Sequence, residues 1–356
     1  MIVIGAGPAG SEAAFRLAKL GYDTLIVEKE AGLREKACAG GVERVVLDEF
    51  GRPPNSVIER EISNLVVISR GLYRVNFSID RSLLTVMRSK YDYWLQRRAV
   101  EQGATLRTHT KVKQVSLKGH PTITVNSGTK LRTRFLVDAS GAYSIVRRSH
   151  GEYWSSNDIA VGVQYHINLL SHQIDDRIGD CCELYFDSTS APGGYYWIFP
   201  KRDIVAVGVC GIASCLQRER INLREKLDAF IRKHPIASQK LSEGVIRFRQ
   251  SAILPVRLCE NLVYPNAVIV GDAGGFINPL FKGGIYEAHK SAEIASKYGN
   301  AFLETGESDR LLGYEAEIKA RFHQVYESNR LILNMLNSDE LFDRLIDSLI
   351  EKRAQY

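Results

Sequence analysis

The residues best suited to chemistry stand at glycine-rich turns. Gly5, Gly7 and Gly10 give a G-x-G-x-x-G spacing in MIVIGAGPAG, and Glu28 lies 18 residues past the last of them. Positions without a side chain let a backbone approach a pyrophosphate at a helix N-terminus, and a carboxylate at that distance accepts from a ribose hydroxyl. Asp138 and Asp272 end two more apolar stretches, FLVDASG and AVIVGDAGG. A carboxylate at the C-terminal edge of a parallel strand, as predicted for Asp272, suits a ribityl hydroxyl, which flavins carry and NAD lacks. Gly283 and Gly284 then precede a helix whose positive end suits the charge of a reduced flavin. Cys38, in KACAGGV, raises a separate question, because it places a thiol just ahead of Gly40 and Gly41.

These residues need particular elements to hold them. Residues 2–4 read as an apolar strand and residues 10–20 as a helix with Ala13, Ala14, Leu17 and Ala18 on its inner face. Gly21 ends that helix, and TLIV forms a second strand running into Glu28. A strand before the glycines, a helix after them and an acid at the right distance make a βαβ dinucleotide unit. No second G-x-G-x-x-G unit follows, so no separate nicotinamide domain is expected. Further along, CCELYFD, GGYYWIFPK and IVAVGVCG alternate as adjacent strands. On that alternation Tyr195 and Trp197 share one face, and Tyr196 and Ile198 share the other.

Bulk properties narrow the class. The chain has 356 residues, 45% hydrophobic and 25% charged, a globular composition with room for two domains. It holds no apolar run long enough to span a bilayer, and its first ten residues read as strand and turn rather than secretion signal. The six cysteines (38, 181, 182, 210, 215 and 259) form no C-x-x-C pair, so neither a metal site nor a disulfide framework is expected. A cytoplasmic setting follows. The net charge is +6, with fourteen Lys or Arg between Arg81 and Arg148 against Asp92, Glu101 and Asp138. That excess is either a solvated face or an attraction to a nucleotide, lipid headgroups or an acidic protein. Nucleic acid is not expected, since no binding module accompanies the charge.

The three glycine-and-acid motifs in this order, with KACAGGV, VMRSKYDYWL, GGYYWIFPK and GDAGGFINPLFKGGI, resemble the geranylgeranyl reductase family of the p-hydroxybenzoate hydroxylase fold. The resemblance implies an α/β (α+β) chain with a Rossmann-type FAD-binding domain, an inserted antiparallel-sheet substrate domain and a C-terminal helical segment. The boundaries expected are 1–152 with 262–305, then 153–261, then 306–356. FAD is the implied cofactor, held by Gly5, Gly7, Ala9, Gly10, Glu28, Cys38, Ala39, Gly41, Arg88, Val112, Asp272, Gly284 and Ile285. By the family motifs, Cys38 borders the flavin ring, Arg88 pairs with phosphates or ribose, and the Val112 backbone meets adenine. Tyr195, Trp197 and Phe199 wall an apolar substrate tunnel. The sequence departs from the family at LFKGGI, where Lys282 replaces a smaller residue.

The implied activity is reduction of carbon–carbon double bonds in an isoprenoid chain on a lipid, a quinone or another prenyl compound. A reduced donor, ferredoxin or NAD(P)H, must supply electrons. Hydride reaches the tertiary carbon while a proton reaches its less substituted neighbour, so the site must be dry and hold one acid. Tyr195, Tyr196, His166 and His289 are the candidate acids, and Cys38 is a further catalytic candidate that would tune the flavin or the access to it. The helical period of LILNMLNSDELFDRLIDSLI suits a packing helix or a peripheral membrane contact. Two rivals stand beside this reading. One is a flavin monooxygenase or halogenase acting on an aromatic substrate, since YYWIFP is similar to W-x-W-x-I-P but replaces the first Trp and the Ile. The other is a flavoprotein passing electrons to a quinone, whose relatives carry an iron–sulphur cysteine cluster that this sequence lacks.

Overall fold

The computed structural model describes residues 1–33 and 35–354. It divides into two compact units, Met1–Arg34 with Ser89–Ser155 and Leu254–Ser328, and Glu35–Arg88 with Ser156–Ile253 and Asn329–Tyr356.

The first unit is built on a six-stranded sheet. Ile2–Ile4 lies at its centre, with Leu25–Val27 and Thr105–Arg107 on one side and Leu136–Asp138 and Ala267–Ile269 on the other, all parallel. Val263–Tyr264 adds an antiparallel edge. Parallel strands buried on both faces must be apolar throughout, as IVI, LVD and AVI nearly are. The helices Pro8–Lys19 and Ile285–Thr305 cover one face, and Ala13, Ala14, Leu17, Ala292 and Ala295 join their core. A small residue lets the second helix lie close to the sheet: a Cβ on Gly299 would stand 2.5 Å from the ring of Phe135, just before the strand Leu136–Asp138. A separate three-stranded antiparallel sheet, Val112–Ser116, Thr122–Val125 and Lys130–Arg132, packs into a second core with Ile4, Val27 and Ile269.

The second unit is an eight-stranded sheet. Its order is Val245–Pro255, Ile159–Asn168, Ile204–Ile212, Tyr196–Pro200, Cys181–Tyr185, Ile58–Ile68, Arg74–Val86 and Gly41–Glu43. One face is closed by the helix Leu223–Lys233, whose Leu227 and Phe230 pack on Tyr185, Tyr196, Ile198, Val205 and Val207.

These boundaries differ from the expected ones in two places. Residues 35–88, read with the dinucleotide half, enter the large sheet, because Ile58–Ile68 pairs in parallel with Cys181–Tyr185 and continues through a hairpin with Arg74–Val86. The segment 306–356 is not a unit of its own. Its first part belongs with the parallel sheet, where Tyr314 donates to the Ile269 carbonyl at 2.7 Å. Its last helix, Asp339–Ala354, belongs with the large sheet: Asp339 accepts from Arg70 and from the Ser188 backbone, and Phe342 packs on Phe186.

Asp138 is fully buried and organises the loop after its strand. Its carboxylate accepts from the Ser140 backbone at 2.9 Å, the Ser144 hydroxyl at 2.7 Å and the Val146 backbone at 3.0 Å. Asp138→Ala should therefore lose about 3 kcal/mol or more in a urea titration, because buried donors are left without an acceptor. A loss within the scatter of surface substitutions would remove Asp138 from this role.

Candidate functional site

In the first unit the glycine turn is shaped by contacts that exclude side chains. Gly5 has φ +97°, and a Cβ there would lie 2.4 Å from the Ala139 carbonyl. One on Gly10 would lie 1.9 Å from the Gly5 carbonyl. The helix Pro8–Lys19 has Gly7 at its N-cap with no side-chain capping bond, so its first N–H groups could take an external anion. Glu28, buried behind the turn, accepts from the Ala6 backbone at 2.7 Å and the Glu30 backbone at 3.0 Å. Each oxygen keeps a lone pair for a hydroxyl. The segment leading to Val112 is tied to the same place, since the Thr110 backbone donates to the Glu28 carbonyl at 2.8 Å.

Ala9 touches the loop that carries Asp272: a Cβ on the preceding Gly271 would stand 2.8 Å from that of Ala9. Gly284 caps the helix Ile285–Thr305, again without a side-chain acceptor, and Ile285 is its first residue. Turn backbone, carboxylate, strand-end acid and open helix end thus fit a dinucleotide with a polar middle. Lys282, the departure from the family pattern, sits with φ +53° and donates to the Pro279 carbonyl. Arg88 opens the helix Arg88–Glu101 and is 5% exposed.

In the second unit the face opposite the Leu223–Lys233 helix carries Tyr195, Trp197 and Phe199. Trp197 pairs across the sheet with Gly208 and Leu184, and Phe199 with Ala206. The indole lies over Gly208, where a Cβ would meet it at 2.1 Å. Tyr195 meets Trp197 edge-on at 6.2 Å and Phe186 at 5.4 Å. Lys201 ends the same row. It is 1% exposed and donates to the Ala39 carbonyl at 2.9 Å and the Val86 carbonyl at 2.7 Å.

This lysine explains the glycines beside Cys38. Gly40 has φ +76°, and a Cβ there would lie 2.1 Å from the Val86 carbonyl and 2.9 Å from Lys201 Nζ. One on Gly41 would press on the Phe199 ring at 3.2 Å. The Gly40 backbone in turn donates to Cys38 Sγ at 3.4 Å. These glycines make room for the Val86 carbonyl, Lys201 and Phe199.

The candidate acids separate. Tyr195 is held far above its ordinary pKa by burial, with Cys210 and Cys38 adding to it, so it keeps its proton. Tyr196 points the other way and stacks on Phe230 at 4.5 Å within the helix-covered core. Burial, then the charges of Lys201 and Arg247, lowers His166 to about 4, so it is neutral near pH 7 and offers no ready proton. His289 lies in the first unit with both ring nitrogens engaged, by the Tyr91 hydroxyl at 3.1 Å and Glu12 at 3.2 Å. Sequence reasoning passed over Lys201, although it ends the quoted motif, and passed over Gln164 and Gln250. A polar residue on an otherwise apolar alternating strand was the available signal.

Residues 158–252 match the family model of the geranylgeranyl reductase catalytic domain, and residues 1–178 match that of lycopene cyclase protein. An uncharacterised protein of Methanosarcina barkeri is 30% identical over 87% of this chain and 76% of its own. The digeranylgeranylglycerophospholipid reductase of Thermoplasma volcanium is 28% identical over 99% of this chain and 91% of its own. Among solved structures, a geranylgeranyl bacteriochlorophyll reductase-like protein from Thermoplasma acidophilum superposes with a TM-score of 0.87 at 26% identity, covering 97% of this chain and 90% of that one.

Burial lowers Lys201 from 10.5 to about 8, against the opposing pull of Cys38 and Glu59. Between those two values the unfolded chain binds more protons than the folded one, so stability rises with pH across that window. The stability of the wild type relative to Lys201→Met should therefore increase between about pH 8 and 10.5 in denaturant titrations. A difference that stays flat with pH would mean that Lys201 is not the buried cation described.

Proposed function

The chain belongs to the geranylgeranyl reductase family, and from that premise we infer a flavin-dependent oxidoreductase that reduces carbon–carbon double bonds of geranylgeranyl chains. We propose FAD as the flavin, bound by Gly5, Gly7, Ala9, Gly10, Glu28, Val112, Asp272, Gly284 and Ile285. Cys38, Ala39, Gly41 and Arg88 join that set on the family motifs. The substrate proposed is a prenylated lipid, consistent with the names its relatives carry.

Saturating an isolated double bond requires a hydride at one carbon and a proton at the other. A bound flavin supplies the hydride. The chain's residues must hold the prenyl chain, exclude water and deliver the proton. Tyr195, Trp197 and Phe199 provide a largely apolar wall for the first two tasks, and this row is the observation that carries the reading. Each methylene withdrawn from water against it contributes about 0.8 kcal/mol. Tyr195 and Cys38 remain the proposed proton donors. Among the described residues no helix is long and apolar enough to cross a membrane. Exposed Leu331, Met335, Leu341 and Leu345 support a peripheral contact, since each pair is spaced to share a helix face.

The decisive experiment is anaerobic. Photoreduced protein should saturate a geranylgeranyl substrate without O₂, whereas turnover that requires O₂ would replace this reading with the monooxygenase or halogenase one. Heat denaturation should release FAD into the supernatant, and flavin retained on the chain would contradict the non-covalent site. Trp197→Ala should weaken binding of long prenyl chains more than short ones and leave FAD content near wild type. An equal loss at every chain length would remove the wall from the mechanism and leave Trp197 a packing residue, at a cost of about 3–5 kcal/mol in stability.

A further inference from the structure

The wall is interrupted by a polar row. Gln164 pairs with Gly208, and Gly208 pairs with Trp197, so the three positions lie on one line across the sheet. Val245–Pro255 runs beside Ile159–Asn168. There Phe248 lies 6.0 Å from His166, and Arg249 lies 5.2 Å from the Tyr165 ring. Partner numbers fall as strand numbers rise, so the strands are antiparallel and Gln250 stands beside Gln164. Gly208 supplies no side chain, and the Trp197 indole fills the space that one would take.

Three polar atoms of this row are buried without a hydrogen-bond partner: Trp197 Nε1, Gln164 Oε1 and Gln250 Oε1. Buried polar atoms in folded proteins are almost always paired, so three on one line call for a partner that the chain does not supply. The Gln164 amide nitrogen faces His166 Nε2 at 3.0 Å, which turns the amide oxygen away from it. In either amide orientation one polar end of Gln164 is left over.

The chemistry of the row selects its partner. The indole N–H needs an acceptor, and the two amide oxygens need donors. A hydroxyl is both. No cation belongs to the row: His166 is neutral near pH 7 and Lys201 is committed to two carbonyls. Arg247 is exposed, and Arg249 lies over Tyr165, whose side chain belongs to the helix-covered core. A diphosphate placed here would be desolvated with only Lys201, already engaged by two carbonyls, and the exposed Arg247 as nearby charges.

We propose that Trp197, Gln164 and Gln250 form a subsite for an uncharged, hydroxyl-bearing part of the prenyl substrate. The proposal rests on the reductase reading and adds to it how the chain is placed along the wall. A hydroxyl fixed on this row sets which double bond lies farther along the apolar strip, whereas a bare hydrocarbon slides.

The test uses the flavin-loaded full chain in detergent micelles, with geranylgeraniol and the corresponding hydrocarbon lacking oxygen. Anaerobic kinetics and binding calorimetry are measured for wild type, Trp197→Phe, Gln164→Leu and Gln250→Leu. Trp197→Phe keeps a ring on the wall and removes only the donor. Wild type should bind the alcohol more tightly than the hydrocarbon, and each variant should weaken alcohol binding about three- to tenfold. Hydrocarbon binding should stay unchanged in Gln164→Leu and Gln250→Leu, and Trp197→Phe should lose more affinity for the alcohol than for the hydrocarbon. Equal affinity of wild type for the two ligands, or an equal loss for both in the variants, would overturn the subsite and leave a row that holds only water. Gln250→Leu, on an edge strand, keeps the test open if the central variants fold poorly. Selective binding without anaerobic turnover would remove the reductase reading and leave the subsite standing. Turnover without selectivity would do the reverse.

Discussion

The ammonium group of Lys201 is the interaction on which the second unit's site depends. It stands on the wall row of Tyr195, Trp197 and Phe199, and it reaches two backbone carbonyls, one from the Cys38 loop and one from the end of the Arg74–Val86 strand. Backbone carbonyls are weaker partners for a buried cation than a carboxylate, which is why burial pulls the lysine down to about 8. In exchange, a single side chain fixes three chain segments that are far apart in sequence. Gly40 and Gly41 are the local consequence, since no Cβ fits between that ammonium, Phe199 and the Val86 carbonyl. The position of Cys38 follows from the same clamp, because its sulphur accepts from the Gly40 backbone.

The same sheet shows how a period of two divides structure from chemistry. Tyr195 and Tyr196 are neighbours, yet one joins the wall and the other stacks on Phe230. The helix-covered face is filled by Val205, Val207 and Val209, whereas the wall face of the same strand carries Ala206, Gly208 and Cys210. Large residues on one side seal a core, and small residues on the other let an indole pack against the strand. A single strand therefore anchors the fold on one face and seats the wall on the other.

Much of this was legible in the sequence, and the gaps have physical causes. The parallel strands and the glycine turn of the first unit show themselves because contiguous apolar runs and fixed glycine spacings are local signals. The strands Ile58–Ile68 and Arg74–Val86 were missed because their partner, Cys181–Tyr185, lies more than a hundred residues away and only pairing reveals where they belong. The division of residues 306–356 was hidden for the same reason. A helical period shows that a face is apolar and does not show which sheet it meets. For the candidate site, the wall followed from alternation, while the roles of Lys201 and Gln164 emerged only once their neighbours were placed. His289, one of the candidate acids, is held by Tyr91 and Glu12 in the fold.

Burial of the proposed donor Tyr195 constrains the order of events in the reduction. Removal from water makes this hydroxyl a weaker acid than a tyrosine in solution. A weak acid cannot protonate an isolated double bond on its own, and the apolar wall offers no charge to stabilise a free cation on the prenyl chain. Hydride arriving at the tertiary carbon first would load negative charge onto the neighbouring carbon, which the wall stabilises no better. The two transfers must therefore overlap, with the proton leaving as the carbon becomes basic enough to take it. The dryness that weakens the acid thus also enforces the timing. A site built this way gains little from a stronger acid and much from holding the chain still, which is the task proposed for the wall and its polar row.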